Sequence, residues 1–469
     1  MNQIWRHVPV PCHIKGKKIQ IVFNMQKLII DNFKQITHAE IEVKDFLLLI
    51  GPQASGKSTI AKLIYFFKSI QQFYIDLFGI DDREMTVENV IMNYNFRIVR
   101  KFQEYFSFTE LPDPNFKMHF DLSSNNDKSL RFVVVDKKVS VSYTQTLHDA
   151  LSTATEKLIS LRQQSKDLIA QDSANEMKIR NEFYGRVWKE SCDIFDDSKS
   201  GLYIPAGRNI TVTFSEQFQL LFFGQLSDKP QQQHIGGNEE EIIRSFMLQS
   251  KRLVDFFSNG YREKLDNPFG KLVLRIAKKI LKGSYQNEKG MESIRVDENT
   301  TVSLGNASSG QQESIRIIQD LIYILCTKID TTRFIEEPEA HIYPEAQKLL
   351  IELLVLVANH CHTQMIVTTH SPYVLSTFNN MLYYSKVLKN HPSKREDLER
   401  HFLSETLNTA NDEFLGINAD NFEAYSLDTS REVYCQSIKD NKTKLIGDNF
   451  FDAETEKLNE DFAFLYNLM

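Results

Sequence analysis

Residues 47–67, LLLIGPQASGKSTIAKLIYFF, constrain this chain more than any other stretch. The apolar run ending at Ile50 has the length of a buried strand, and Ile60, Leu63, Ile64 and Phe67 recur at helical spacing. The order is therefore strand, loop, helix. Between the two, Gly51, Gly56, Lys57 and Ser58 fill the pattern G-x-x-x-x-G-K-[ST], in the context a phosphate-binding loop requires. The loop reads Gly51, Pro52, Gln53, Ala54, Ser55, Gly56. Its small members let the backbone wrap an anion, successive amide N–H groups turn inward, and the helix N-terminus adds partial positive charge. Lys57 is placed to reach the β- and γ-phosphates, the Ser58 hydroxyl to meet magnesium, and Thr59 to bond the α-phosphate. A chance match in a chain this long has odds on the order of one in a hundred, so a plain glycine turn is set aside. The loop is built for a nucleoside triphosphate.

The 469 residues are enough for one large domain with insertions or for two to three domains. With 42% hydrophobic and 25% charged residues, wholesale disorder is excluded. A net charge of −7 gives no global reason to bind nucleic acid and leaves a local basic groove open. Five cysteines without a CxxC pair fit a reducing compartment better than a disulfide scaffold. The most apolar candidate span, LLIELLVLVA, is ten residues long and contains Glu352, so it reads as a buried helix. The first residues, MNQIWRHVPVPCHIKGKK, carry charge and proline where a signal peptide needs an apolar core. The expectation is a cytoplasmic protein with no membrane partner.

Residues 1–70 read as a strand-rich lobe (KKIQIVF, QKLIIDNF, HAEIEV, DFLLLI) leading into the phosphate loop. Residues 71–295 read as an insertion, in which RFVVVDKKVSVSY is a strand pair joined by a charged turn. Within it, Leu147, Leu151, Ala154, Leu158, Leu161, Ser165 and Leu168 recur at spacings of four and three, and Met177, Ile179, Phe183 and Val187 follow after a polar break. Two readings of 144–195 stand: an antiparallel helical hairpin at most roughly 40 Å long, or a pair of core-packing helices. Arg208 closes the strand-like GLYIPAGR, and its strand-end position is all the sequence says of it. A Gln/Gly/Glu-rich loop is expected at about 225–240. Residues 296–385 complete the nucleotide domain and 386–469 form an α/β tail.

Three later segments supply the rest of a nucleotide site. RFIEEPEAHIYPEAQ places Glu336 and Glu337 directly after a short apolar strand. Glu336 can hold magnesium through water, opposite Ser58, and Glu337 can act as general base on the attacking water. LGNASSGQQESIRIIQDLIYIL opens a helix with a small polar turn, Ser308, Ser309, Gly310, Gln311, a second helix N-terminus suited to phosphate. QMIVTTHSPYVLS ends another buried strand at His370, one αβ crossover after the acids, where a γ-phosphate-sensing histidine belongs.

With GPQASGKST, NASSGQQ, FIEEPEAHIYP and TTHSPYVLS in this order, the sequence resembles the ABC-type ATPase heads of the SMC-related, OLD-like group found in bacterial defence systems. The resemblance is strong over 26–70 and 300–380. It implies an α/β fold, an ABC-type P-loop head with a mixed β lobe and an inserted helical hairpin. It implies ATP and Mg2+ as cofactors, catalytic roles for Lys57, Glu337 and His370, and Ser308 and Gly310 binding the γ-phosphate held on a partner protomer, in a homodimer or higher oligomer. Ser309 stands where the usual signature has its first glycine, Glu336 replaces the commoner aspartate, and the lid-loop glutamine has no assigned position.

A small-molecule kinase has no use for the signature-like turn, and a transporter ATPase has no such helical insertion. A DNA-repair or chromosome-associated SMC-like ATPase is the competing reading. Its hairpin would contact DNA, and this one is not notably basic. No D-x-D arrangement or HNH-like cluster follows His370, so intrinsic nuclease activity is not expected; His360, Cys361 and His362 in NHCHT are the one metal-like group, and three adjacent positions on a helix-to-strand loop splay their side chains. By the resemblance alone, the expected setting is anti-phage defence, with a separate HNH nuclease, as in Septu-like systems, or a TOPRIM nuclease, as in PARIS-like ones, as effector.

Overall fold

The computed structural model describes residues 25–81, 84–106, 115–123, 127–213, 240–403 and 415–447, with a few positions between 459 and 466. KKIQIVF and residues 225–239 of the expected polar loop lie outside them. Contacts divide the chain into two compact units, the first formed by Met1–Val43 and Lys62–Ser200 with Gly237–Glu239, the second by Lys44–Ala61, Gly201–Gly236 and Glu240–Met469. The expected boundaries at 70 and 295 are therefore not where the contacts part. The strands of the expected N-terminal lobe separate between the units for a reason visible in their patterning. β1 (Gln26–Phe33) and β2 (Ile36–Val43) alternate buried and exposed positions, whereas β3 (Phe46–Ile50) is buried throughout. Alternation suits a sheet with one wet face, and a continuous apolar run suits a parallel sheet covered on both.

In the first unit β1 and β2 join β4 (Phe116–Asp121), β5 (Ser129–Val135) and β6 (Lys138–Tyr143) in an antiparallel sheet of order β2-β1-β4-β5-β6. The charged turn between β5 and β6 is Asp136–Lys137 with both residues at positive φ (50° and 63°), the two-residue hairpin that matches strand twist. Phe33, Phe66, Phe102, Phe116 and Phe132 interlock beneath the sheet, Phe102 and Phe132 with ring centroids 4.2 Å apart. Such pairs add about 0.5–1.5 kcal/mol each beyond the area they bury. The helices are α1 (Lys57–Ile75), whose C-terminal part belongs here, α2 (Val87–Phe106), α3 (Gln145–Gln171) and α4 (Glu176–Phe195).

α3 and α4 combine the two readings of 144–195. Leu147, Leu151, Ala154 and Leu158 are buried, as are Phe183, Val187 and Ile194, and Tyr74 and Thr155 share a hydrogen bond of 2.8 Å. Beyond Arg162, which is anchored to the Gly79 carbonyl at 2.6 Å, the seam opens: Leu168 and Met177 are exposed. The base of the pair is core, and toward the tip Arg180 still donates to the Ile80 carbonyl at 3.2 Å.

The second unit is built on a six-stranded sheet. β7 (Ser200–Ile204), β11 (Thr331–Glu336), β12 (Gln364–Thr369), β13 (Phe422–Leu427) and β14 (Cys435–Ser437) join β3 in the order β14-β13-β3-β12-β11-β7. β11, β12, β3 and β13 run parallel, and β14 pairs antiparallel with β13. The segment expected as a tail thus supplies a strand directly beside β3. A separate three-stranded antiparallel sheet holds β8 (Ser284–Glu288), β9 (Met291–Arg295) and β10 (Thr301–Ser303). α5 (Ile210–Thr213), α6 (Glu240–Phe257), α7 (Pro268–Leu281), α8 (Ser309–Thr327), α9 (Pro344–Cys361), α10 (Pro372–Asn390) and α11 (Arg395–Leu403) complete the unit, with α7, α8, α9 and α10 packed on one another in its core. The fold class is α/β, as expected. Among the described residues no helix is long and apolar enough to cross a membrane.

Candidate functional site

Strand register brings the site together. Ile50 lies opposite Thr369 and Thr368 opposite Glu336, so β3, β12 and β11 end on one line, and Gly51, His370 and Glu337 are the next residues of each. Carboxyl ends of parallel strands are where open α/β sheets bind ligands.

Gly51 is tightly enclosed: at φ 154° a Cβ on it would lie 2.3 Å from the Leu427 carbonyl oxygen of β13 and 2.6 Å from Ser55 Oγ. Ala54 and Gly56 also take positive φ (61° and 98°). Pro52, Gln53 and Ala54 are exposed, Ser55 and Gly56 are buried, and Ser58 and Thr59 are half-buried in the first turn of α1, where the helix leaves backbone N–H groups without intrahelical partners. The Tyr434 hydroxyl donates to the Ser55 carbonyl at 2.5 Å and pins the loop to the chain beyond β13. Lys57 is buried, with its ammonium donating to the carbonyls of Gly51 (2.8 Å) and Pro52 (2.7 Å). Burial holds its pKa down at about 8, against the opposing pull of the Glu337 and Glu339 carboxylates.

Glu337 stands at φ 43°, a strained conformation for a non-glycine residue, with its N–H on the Thr368 carbonyl. Its carboxylate meets His370 Nε2 at 2.6 Å, and that bond, with the nearby Lys57 and Arg208 charges, keeps its pKa below the usual carboxylate range. His370 Nδ1 lies 3.2 Å from the Gly51 carbonyl, closing a chain from loop to histidine to acid. Half-buried Glu339 accepts from Thr369 Oγ1 (2.6 Å) and the His370 N–H (2.8 Å), fixing the turn after β12, and desolvation of its carboxyl raises its pKa. Glu336 is buried and accepts from the Tyr203 hydroxyl (2.5 Å) and the Ala206 N–H (3.0 Å), which among the described residues leaves half of its four acceptor positions open.

The signature-like turn is placed apart from this cluster. Ser308 caps α8 in a reciprocal capping box with Gln311, and Ser308 and Ser309 are exposed. Among the described residues no hydrogen bond joins the turn to the 51–59 loop. Gly310 faces inward, and a Cβ there would lie 2.6 Å from the His341 carbonyl oxygen, so the turn abuts the loop that follows Glu337.

The sequence profile of the AAA ATPase domain matches residues 24–375, three quarters of the chain. The chain belongs to the AAA ATPase domain family. This AAA ATPase is similar to the crystal structure of the SmcHead bound to the C-winged helix domain of ScpA, at 12% identity over 76% of this chain and 91% of that one, with a TM-score of 0.37. It is also similar to the SMC head domain from Thermotoga maritima (12% identity, 76% and 92%, TM-score 0.34). A third likeness is to the Smc head domain with an extended coiled coil bound to the C-terminal domain of ScpA derived from Pyrococcus furiosus (11%, 76% and 91%, TM-score 0.32). No curated protein sequence matches it.

The donor set suits a magnesium triphosphate: hard oxygens at Ser58 and Glu336, an ammonium, helix-terminal amides, and the buried Ser55 and Thr368 hydroxyls, which have no partner among the described residues. Sequence reasoning left Arg208 without a role, and the structure gives it four hydrogen bonds at the foot of the site. Fully buried, it donates to the carbonyls of Glu313 (2.8 Å), Pro205 (3.1 Å), Glu336 (2.8 Å) and Glu337 (3.0 Å). Tyr203, Glu339 and Tyr434 were missed as well. Tyr203 and Arg208 share YIPAGR, whose only signal was a polar residue at a strand end. His360, from NHCHT, stacks on Phe269 with ring centroids 4.2 Å apart, and no metal-binding cluster of three or more His, Cys, Asp or Glu occurs among the described residues.

Proposed function

We propose that this AAA ATPase binds ATP with magnesium in the Gly51–Thr59 loop and uses binding and hydrolysis as a switch that controls a separate effector. One observation carries the reading: the loop, Lys57, Glu337 and His370 converge where β3, β11 and β12 end, with His370 bonded to both Gly51 and Glu337. Lys57 and the α1 N-terminus hold the phosphates. Ser58 and, through water, Glu336 would hold magnesium, which neutralises phosphate charge. Glu337, kept ionised by His370, takes the proton of the attacking water, and His370 orients it and senses the γ-phosphate. The exposed Ser308–Gly310 turn serves a second copy of the chain, so that ATP joins two heads.

The effector reading is supported by the motif resemblance, which favours anti-phage defence in the cytoplasm with a nuclease of HNH or TOPRIM type. An SMC-like role on DNA needs a basic hairpin. Residues 162–182 carry Arg162, Lys166, Lys178 and Arg180 against Asp167, Asp172, Glu176 and Glu182, a neutral balance. The test is to express this chain alone and with its neighbouring gene, then assay magnesium-dependent ATP hydrolysis, phage protection and nucleic-acid cleavage. Hydrolysis by the chain alone, and protection only with the neighbour, are expected. Full protection and metal-dependent cleavage by the isolated chain would overturn the switch reading.

A further inference from the structure

Arg208 is fully buried, and its guanidinium binds two elements that the proposed mechanism assigns to different nucleotides. On one side are the carbonyl of Glu313, at 2.8 Å, and its carboxylate, at 3.4 Å, in the first turns of α8. On the other are the carbonyls of Glu336 and Glu337, at 2.8 and 3.0 Å. Glu313 follows Gly310 by one helical turn, and Gly310 itself abuts His341 in the loop that Glu337 begins. The start of α8 therefore touches the acid turn at two points, one a close backbone approach and the other a planar five-donor fork that lysine cannot reproduce. Glu337 has the strained φ of 43°, so its position depends on what holds its carbonyl.

We propose that Arg208 is a positioning residue that couples the two ends of one chain: engagement of the Ser308–Gly310 turn by nucleotide on a second copy sets the Glu337 backbone and thereby the hydrolysis rate in this chain's own loop. The inference rests on the shared-site reading above. In a dimer both sites are then tuned by each other through a buried side chain that touches neither nucleotide.

Mixed dimers separate this from a structural role. One chain carries Glu337→Gln, so that it holds ATP without turning it over, and the other is the reporter. Adding Ser308→Arg to the reporter leaves its own loop facing an intact turn on its partner. Coupling lowers the reporter kcat by about fivefold or more, the lower range for linked sites, with KM unchanged. Arg208→Lys in the reporter produces the same fall by itself, and Ser308→Arg then adds less than about twofold. Arg208→Ala would strand the buried Glu313 carboxylate, so the second variant is Arg208→Gln with Glu313→Gln, for which the same loss of response is expected. An unchanged reporter kcat with Ser308→Arg, or a fall that persists undiminished in both Arg208 variants, overturns the proposal. A Glu337→Gln homodimer that hydrolyses ATP normally instead refutes the underlying site, a control read before any mixed dimer.

Discussion

Replacing Lys57 with methionine should abolish ATP hydrolysis and leave the folded chain slightly more stable at pH 7. Burial moves the Lys57 pKa from 10.5 to about 8. At 1.36 kcal/mol per pKa unit, keeping that ammonium charged in the fold costs about 3 kcal/mol at neutral pH. Its two hydrogen bonds, to the carbonyls of Gly51 and Pro52, return about 1 kcal/mol each. Methionine keeps an apolar stem in the same place and removes both terms, for a net gain of about 1 kcal/mol.

The pH dependence has a definite sign. Between the folded value of about 8 and the unfolded value of 10.5 the unfolded chain binds more protons than the folded one, so stability rises with pH. The cost of burying the charge is fully present below pH 8 and gone above 10.5, while the hydrogen bonds remain. The stability order of the two proteins should therefore reverse across that window, the wild type being favoured by about 2 kcal/mol at the alkaline end. Chemical denaturation at four pH values between 7 and 10.5, comparing the two proteins at each, reads the difference free of other titrating groups. A methionine variant destabilised by about 2 kcal/mol or more at pH 7, or a gap that does not change with pH, would refute the reasoning.

Three further outcomes are expected. Glu337→Gln should bind ATP while hydrolysis falls about a hundredfold or more, with ATP-dependent dimers persisting longer in sedimentation; normal turnover removes Glu337 as base. His370→Ala takes away the bond that holds the Glu337 carboxyl low, so the acid limb of the kcat profile should move to higher pH, and an unmoved limb counts against the pair. Ser308→Arg and Lys57→Ala chains, each inactive alone, should recover part of the hydrolysis when mixed, because a mixed dimer pairs one intact loop with one intact turn; no recovery where mixed dimers demonstrably form counts against shared sites.

The nucleotide site was legible in the sequence to the extent that local chemistry sets it. The phosphate loop, the paired acids and His370 each follow an apolar strand, and strand-end placement is a property of a few consecutive residues. β13 was harder to see: its six residues FEAYSL are buried throughout, yet Glu423 interrupts the run. That acid is paired with Lys439 at 2.9 Å, a partner no periodicity reveals. The Asp136–Lys137 hairpin was legible from its flanking strands alone, since its turn lacks the glycine or asparagine that marks such hairpins. Arg208 was invisible as a functional residue because its partners are backbone carbonyls of Glu313, Glu336 and Glu337, more than a hundred positions away.

Glu339 shows how the sequence and structural levels meet. It was part of the quoted acid motif without a role, and its carboxylate ties the Thr369 hydroxyl and the His370 N–H to the turn that begins at Glu337. Burial raises its pKa, which favours the neutral form. Two carboxylates near Lys57 therefore have environments that push their titration apart: Glu337 is kept ionised by His370, and Glu339 is drawn toward protonation by the desolvation of its carboxyl. A chain needing one base and one rigid strut within three residues obtains both from glutamate, because the environment of each side chain, rather than its type, decides which of them can take up a proton from water.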